Sequence, residues 1–460
     1  MKFIDRSEES AFLKSKMQGR SAQFIVLWGK RRVGKTELVR RFVQGKPHIY
    51  FLSETTSENE QIKRFSAIVG DFFDEPLLKS RGFTSWEEAF IYIGSKRQEI
   101  IVVFDEFPYL IQSNPAIPSI FQRGWDESWS RSTVYLILLG SSVGMMESEV
   151  LGSRSPLYGR RTGQWKVEPL PFYSASEFRS GKSFEDRMLH FCVAGGMPAY
   201  WLQFEKECDF YGNLQRHVLS KGQFLYDEAE FVLREELREP RYYFALLQAI
   251  AEGKRKLSEI VNATGLSHSL ASKYLGILSD LKIVLREVPV TEKRPLKSKK
   301  GLYDISDEFF RFWFRFVFPY RAQIELGKTA ELVRTIRREM PQYISYQYEK
   351  VARELLVEGQ EKVFPILACG RWWDKNDEID IVAHNTDLNS ILFGEVKWSN
   401  KQVGTDILLS LKEKAGKVAW GRAKRKEYYC LFSKSGFTDG LLEIAEQEGT
   451  VLFEGERCLL

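Results

Sequence analysis

Apolar residues fall into short saturated runs over the first third of the chain and into helical periodicity beyond it. Gln23-Phe24-Ile25-Val26-Leu27-Trp28-Gly29, His48-Ile49-Tyr50-Phe51-Leu52, Ile100-Ile101-Val102-Val103-Phe104 and Val134-Tyr135-Leu136-Ile137-Leu138-Leu139-Gly140 are apolar at adjacent as well as alternate positions. A strand wetted on one face alternates; these runs have no polar face, which predicts parallel strands covered by helices on both sides. Helix-forming residues return between them, from Glu37 to Val43 and, behind a capping box read at Thr84 and Glu87, through Ile93. The alternation predicts an α/β, doubly wound parallel sheet over residues 1–172.

Past Pro169-Leu170-Pro171-Phe172 the saturated runs stop. Residues 173–235 are amphipathic and read as a helical lid. Residues 236–325 read as helices from Tyr243 to Ala251 and from Lys256 to Thr264, closed by Gly265, and a third capped by Ser267 and running to Leu281. Strands from Ile283 to Val290 and from Leu302 to Ile305 follow, and three helices with a two-stranded wing predict a winged helix-turn-helix. Residues 326–460 read as a helix, strands around Ile379–Ala383 and Ile391–Val396, then mixed elements. No internal repeat or low-complexity tract interrupts the chain.

A chain of 460 residues exceeds one ordinary core, and 43% hydrophobic with 28% charged residues is the balance of a soluble globular protein. No run approaches the roughly 18 apolar residues of a membrane span, and Met1-Lys2-Phe3-Ile4-Asp5-Arg6 lacks the apolar stretch of a signal peptide. The expectation is a cytoplasmic protein with no membrane partner. Five scattered cysteines, without a Cys-x-x-Cys pair, point to reduced and mostly buried thiols rather than zinc or redox work. A net charge of +5 is too mild to demand a nucleic-acid partner, so local clusters decide.

Gly29-Lys30-Arg31-Arg32-Val33-Gly34-Lys35-Thr36 matches G-x-x-x-x-G-K-[ST], between a predicted strand and a predicted helix. Its glycines let successive backbone N–H groups turn inward on phosphates, and the helix N-terminus adds partial positive charge. Lys35 is placed to reach the β- and γ-phosphates and Thr36 to ligate Mg²⁺. The expected second half is acidic and ends another buried strand: Asp105 holds Mg²⁺ and Glu106 polarises the attacking water. Ser141 and Ser142, ending the next strand, are placed to sense the γ-phosphate or that water. Arg160 and Arg161 are candidates for transition-state charge, in cis or from a neighbouring subunit, although loop arginines often simply face solvent.

On the third helix of residues 236–325, Leu270, Ala271, Tyr274, Leu275, Leu278 and Leu281 fall on one face, leaving His268, Ser269, Ser272 and Lys273 outward at the recognition position. With the basic wing loop, in which Lys297, Lys299 and Lys300 stand, this face predicts DNA contact. The bland alternative is a protein-contact module with a solvated loop. Further on, Asp377-Glu378-Ile379-Asp380-Ile381-Val382 precedes Leu392-Phe393-Gly394-Glu395-Val396-Lys397. Alternation puts Glu395 and Lys397 on one face; with Asp380, and Glu349 from the preceding helix, they would gather carboxylates around Mg²⁺ or Mn²⁺ and add an ammonium. That is the chemistry of a metal-dependent DNA endonuclease with a restriction-endonuclease-like fold.

Trp28-Gly29-Lys30-Arg31-Arg32-Val33-Gly34-Lys35-Thr36-Glu37-Leu38, Phe104-Asp105-Glu106-Phe107-Pro108-Tyr109-Leu110, Ser155-Pro156-Leu157-Tyr158-Gly159-Arg160 and Gly195-Gly196-Met197-Pro198-Ala199-Tyr200 together resemble the archaeal-type ATPases, an AAA-like branch of the signal-transduction ATPases. The C-terminal part, including Phe310-Arg311-Phe312-Trp313-Phe314-Arg315-Phe316, looks like a domain many members carry, similar to PD-(D/E)XK nucleases. The resemblance implies ATP binding and hydrolysis with Gly29 to Thr36, Asp105 and Glu106 as the site, and Arg160 as a further member. Ile379 stands where the nuclease pattern has proline, which leaves a metal site compatible and cleavage open. No Asn-Lys-x-Asp guanine reader is present where one is expected, so ATP is favoured over GTP. The expected function is an ATP-driven switch linked to DNA. The alternatives are a signalling or scaffold ATPase and a DNA-binding regulator whose C-terminal domain is inactive. A homo-oligomer and a protein partner are both compatible with the sequence.

Overall fold

Saturated apolar runs become strands buried on both faces, except the run His48–Leu52, where His48 and Tyr50 are half-buried and Leu52 is exposed. In the computed structural model, which describes residues 3–19, 21–237, 240–422 and 424–459, they form β1 (Gln23–Trp28), β2 (His48–Leu52), β3 (Ile100–Asp105) and β4 (Val134–Gly140). Every residue of β3 and β4 is buried. A further strand, β5 (Gly163–Lys166), is an edge strand without an apolar run, which is why the hydrophobic pattern does not mark it. The five strands form an all-parallel sheet in the order β2-β3-β4-β1-β5. Trp28 lies beside Gly140, and Leu52 beside Asp105. The register therefore brings the carboxyl ends of β1 to β4 to one edge, where open α/β sheets bind ligands.

This sheet belongs to the first of two units, Met1–Leu170 with Met197–Ala199. Its core is aromatic: the Phe104 ring lies 5.2 Å from Phe65 and 4.9 Å from Phe121, centroid to centroid. The helix Trp86–Ser95 starts one residue later than the expected capping box implies. Ser85, not Thr84, accepts the N–H of Glu88, while the N–H and hydroxyl of Thr84 both donate to the Glu88 carboxylate. Thr84 is thus tied to the first turn without being its cap.

The second unit is Pro171–Gly196 with Tyr200–Leu460. Helices Phe184–Ala194 and Phe224–Glu236 precede three more, Pro240–Ala251, Leu257–Thr264 and His268–Asp280, and an antiparallel pair, β6 (Val284–Glu287) and β7 (Leu302–Ile305). Ser267 accepts the Leu270 N–H as its spacing predicts. Strand β6 ends earlier than expected because Pro289 interrupts it, and the N–H of Val290 donates to Arg371 instead.

The helix Thr329–Glu358 leads into β8 (Ala368–Trp373), β9 (Glu378–Asn385), β10 (Ser390–Lys397), β11 (Lys426–Ser433), β12 (Val451–Glu454) and β13 (Arg457–Cys458). Their order is β13-β12-β11-β10-β9-β8. Strands β8, β9 and β10 are antiparallel neighbours; the helices Thr405–Gly416 and Asp439–Glu448 carry the chain to β11 and β12, each parallel to its predecessor. Both units mix helices with sheet, the α/β class the pattern predicts. The cysteines are all free, Cys192 and Cys430 buried and Cys208, Cys369 and Cys458 half-buried. Among the described residues no helix is long and apolar enough to cross a membrane.

Because Phe104 is fully enclosed immediately before Asp105, Phe104→Ala should destabilise the first unit by about 3–5 kcal/mol. Hydrogen exchange of the β3 and β4 amides measures the loss. The control Leu296→Ala, at a residue 97% exposed, should change protection by no more than about 0.5 kcal/mol.

Candidate functional site

Strand β1 delivers the chain into a loop that few residues could form. A Cβ on Gly29 would stand 2.2 Å from the carbonyl oxygen of Val167, so glycine is required for the close approach. Arg32 and Gly34 both take left-handed backbone conformations, φ 68° and 97°. In Arg32, a non-glycine, that conformation costs roughly 1–2 kcal/mol and is held by its surroundings. The loop ends at the helix Lys35–Val43, whose first N–H groups lack intrahelical partners. From the helix Ser7–Met17 side, the buried guanidinium of Arg6 donates to the carbonyl of Val33 at 2.9 Å and pairs with Glu9 at 2.8 Å. The loop is therefore braced from outside.

Lys35 is 4% exposed, and its Nζ donates to the carbonyls of Gly29 and Lys30, each at 2.9 Å. Burial lowers its pKa to about 8, against the opposing pull of Glu106 and Asp105. Lys30 and Arg31 complete the loop, with Arg31 donating to the Tyr109 hydroxyl at 2.8 Å.

Across the sheet edge, Asp105 Oδ2 accepts the Thr36 hydroxyl at 2.8 Å and also the Tyr50 hydroxyl, while Oδ1 accepts the N–H of Glu106 at 2.9 Å. Burial, followed by the Asp105 charge, raises the Tyr50 phenol well above its ordinary pKa, so it stays a donor. A hydroxyl and a carboxylate oxygen side by side are hard donors suited to Mg²⁺, so these residues fit the Mg²⁺–ATP group that the loop implies. Glu106 adopts φ 50°, ψ 46°. Its Oε1 accepts the hydroxyl of Ser141, at the end of β4, at 2.7 Å. The structure thus brings together Gly29, Gly34, Lys35, Thr36, Asp105, Glu106 and Ser141.

It does not bring Arg160 there. Thr162 donates to Phe24 at the start of β1, and β5 begins beside Ile25. The preceding Arg160 therefore lies at the opposite edge of the sheet, roughly 16 Å of strand away from Gly29. Its guanidinium is bound to Asp126 at 3.1 Å, and Arg161 donates to Gln164 and Leu151. Within one chain neither arginine serves the phosphate loop.

In the second unit, Glu349, Asp380, Glu395 and Lys397 do approach one another, with Glu395 and Asp380 accepting protein hydrogen bonds and Glu349 facing a guanidinium. Lys397 Nζ donates to Glu395 at 2.7 Å, with Lys414 at 3.3 Å from the same carboxylate. Asp380 Oδ2 accepts the Val396 N–H at 3.0 Å. Arg371 Nε stands 3.4 Å from Glu349, an ion pair without hydrogen-bond alignment. Among the described residues no three His, Cys, Asp or Glu side chains converge as metal ligands. Lys397, Lys414 and Arg371 supply the positive charge that stands beside these carboxylates. Burial, then Asp380, raises the Glu349 pKa to about 8; burial, then Glu395, raises that of Asp380 to about 6.

On the helix His268–Asp280, Ala271, Leu275 and Leu278 are buried, whereas His268, Ser269, Ser272 and Lys273 are exposed. Lys297, Lys299 and Lys300 are exposed in the loop between β6 and β7. Sequence reasoning missed Tyr50, Arg6, Arg371 and Lys414. Tyr50 carried a weak signal, a hydroxyl inside an apolar run; the other three are joined to the sites only by the fold.

Residues 3–200 match the family described as an ATPase domain predominantly from Archaea. Residues 313–415 match a family described as archaeal and bacterial proteins of unknown function. An uncharacterized protein of Methanocaldococcus jannaschii is 37% identical over 401 residues, 86% of this chain and 88% of that one. An uncharacterized ATP-binding protein of the same organism is 46% identical over 44 residues, 10% of this chain and 75% of its own. Among solved structures, a Walker-type ATPase of Pyrococcus abyssi superposes with a TM-score of 0.52 at 22% identity, over 68% of this chain and 96% of that one, a likeness of fold.

Phosphate attracts protonated Lys35, so nucleotide affinity should fall roughly tenfold per unit as pH rises above about 8; titration calorimetry across that range checks it. Glu349 gives the opposite kind of test. A carboxyl whose folded-state pKa is raised carries no penalty below its ordinary value and destabilises increasingly as pH climbs toward the folded value. Stability of the second unit should decline from about pH 4.5 to about 8, and Glu349→Gln should flatten that decline in urea unfolding.

Proposed function

Because the chain belongs to the family of ATPases found predominantly in Archaea, we propose that its ATP binding and hydrolysis work as a nucleotide switch linked to DNA. In this reading the backbone from Gly29 to Gly34 holds the phosphate tail, Lys35 leaves the carbonyls of Gly29 and Lys30 for the phosphates, and Thr36 with Asp105 holds Mg²⁺. Mg²⁺ bound with ATP supplies charge neutralisation at the phosphates. Glu106 orients the attacking water and accepts its proton, and Ser141 fixes the rotamer of Glu106.

The observation that carries the switch is the placement of Met197–Ala199. These three residues pack with the phosphate-loop unit, while the chain on either side belongs to the second unit. Pro198 Cγ lies 3.9 Å from where a Cβ on Gly34 would be. Nucleotide in the loop therefore has a covalent handle on the helices around it, in residues 173–235, which we assign as the lid. Residues 236–325 are assigned as a winged helix that meets DNA through the exposed His268, Ser269, Ser272 and Lys273 and the wing lysines. Residues 326–460 are assigned as a nuclease-like domain.

A second reading is favoured by the pairing of Glu395 with Lys397 and Lys414 and of Glu349 with Arg371. With its acids neutralised, the C-terminal domain holds DNA and does not cut it. The purified chain should hydrolyse ATP with Mg²⁺, and Lys35→Ala should abolish turnover; turnover equal to wild type in that variant defeats the switch. Plasmid nicking in Mg²⁺ or Mn²⁺ that disappears in Lys397→Ala selects cleavage, and salt-sensitive DNA retention without nicking selects the second reading.

A further inference from the structure

A cleft of about 1000 Å³ opens in the second unit between the segment after β6 and the far end of the C-terminal sheet. It is distinct from the carboxylate cluster, because His384 on its wall lies four residues beyond Asp380 on β9, roughly 13 Å along the strand. Its floor is aromatic. The His384 imidazole lies 4.7 Å, centroid to centroid, from the half-buried Trp420 indole. His384 is 9% exposed, its Nδ1 is buried without a hydrogen-bond partner, and its Nε2 is 3.4 Å from the Val290 carbonyl. Burial lowers its pKa, against the opposing effect of the Val290 carbonyl.

The rim is cationic. Lys293, Arg422 and Lys424 line the cleft and are exposed, and among the described residues none of the three joins an ion pair. The lining carboxylate, Glu292, is turned to Ser298 at 3.1 Å and Lys300 at 4.0 Å. The described residues beside Arg422 and Lys424 are held by hydrogen bonds. Arg425 donates to the carbonyls of Ala415, Val418 and Trp420, and Asn389 Oδ1 accepts the Arg422 N–H at 2.9 Å. Gly421 takes φ 81°, and a Cβ there would meet Asn389 Oδ1 at 2.9 Å.

An aromatic face to stack on, unpaired cations at the rim and a volume larger than one nucleobase match an unpaired nucleotide: a flat π-face joined to an anion. We propose that this cleft binds an unpaired nucleotide, with the base on Trp420 beside His384 and the phosphate against Arg422, Lys424 and Lys293. The inference rests on the DNA-linked reading above and adds to it a place where a strand is held single.

Fluorescence anisotropy of the full chain with labelled oligo(dT), and separately with a duplex of equal length, tests it. Trp420→Ala and the double variant Arg422→Ala/Lys424→Ala should each weaken oligo(dT) binding at least about fivefold, leaving duplex binding and ATP turnover unchanged. The double variant lies on exposed residues and guards against misfolding of the Trp420 variant. Unlabelled oligo(dT) and dTMP as competitors separate the sources. Displacement by dTMP as readily per nucleotide assigns the cleft to free nucleotides, and weaker displacement assigns it to a strand. Unchanged oligo(dT) affinity in the double variant, or equal loss for duplex, overturns the cleft while the DNA-linked reading stands. Wild-type protein that retains neither nucleic acid overturns both.

Discussion

A lysine ammonium buried among carbonyl oxygens and facing two carboxylates is the arrangement on which the first unit turns. Lys35 stays charged in a dry place only because Gly29 and Lys30 offer it carbonyls and Asp105 and Glu106 stand near. Each of those partners is set by something further out. Gly29 reaches its position by passing Val167 at a distance that no side chain would permit. Asp105 and Glu106 reach theirs because β3 runs parallel to β1 and β4 and ends at the same edge. Strand β4 lies between the other two, and Ser141 at its end bonds Glu106. A parallel sheet whose central strands are buried on both faces thus serves as a jig for four short segments of chain.

The parts of this arrangement that the sequence revealed share a physical property: they are local. The phosphate loop is eight consecutive residues with fixed backbone demands, and β3 and β4 are saturated runs whose burial follows from composition alone. What could not be read depends on where distant segments meet. Arg6 and Val33 are joined by tertiary structure, as are Tyr50 and Asp105. Strand β5 carries no apolar run, and its four residues are exposed or half-buried. Arg160 shows the limit most clearly. Its motif marks a turn before a strand, but spacing along the chain does not say at which end of the sheet the turn will lie, and the register with β1 puts it at the end away from Gly29 of the same chain. The Ser85 cap is a smaller case: Thr84 and Ser85 are both competent caps, and only the helix's first N–H groups choose between them.

In the second unit the buried charges follow a different rule. Several acids lie in the interior beside cations: Glu395 beside Lys397 of its own strand and Lys414 of the following helix, Glu349 beside Arg371 of β8, and Asp304 beside Arg311 of the helix after β7. Removing one partner of such a pair would leave a buried charge uncompensated, at a cost of about 3–5 kcal/mol. Burial and the neighbouring carboxylates raise the pKa values of Glu349 and Asp380 against the pull of the nearby cations. Asp304 is the opposite extreme. Burial raises its pKa, but Arg311, Lys350 and Arg255 outweigh that and hold it below the usual carboxylate range.

These two clusters share the helix Thr329–Glu358. Tyr346 donates to Asp304 on β7, and Lys350, one turn further on, stands 4.0 Å from the same carboxylate. Between them Glu349 faces Arg371 on β8. Arg371 in turn lies 5.5 Å from the Tyr346 ring, so one side chain touches both clusters. Because helical residues rise by about 1.5 Å each, the groups that bond β7 and the group that faces β8 lie within one turn of rigid backbone. Displacing β7 relative to the helix would break Tyr346 and Lys350 away from a buried aspartate, and displacing the helix with β7 would carry Glu349 off Arg371. Strand β7 and the carboxylate cluster of the C-terminal sheet are therefore both bonded to the same stretch of this helix.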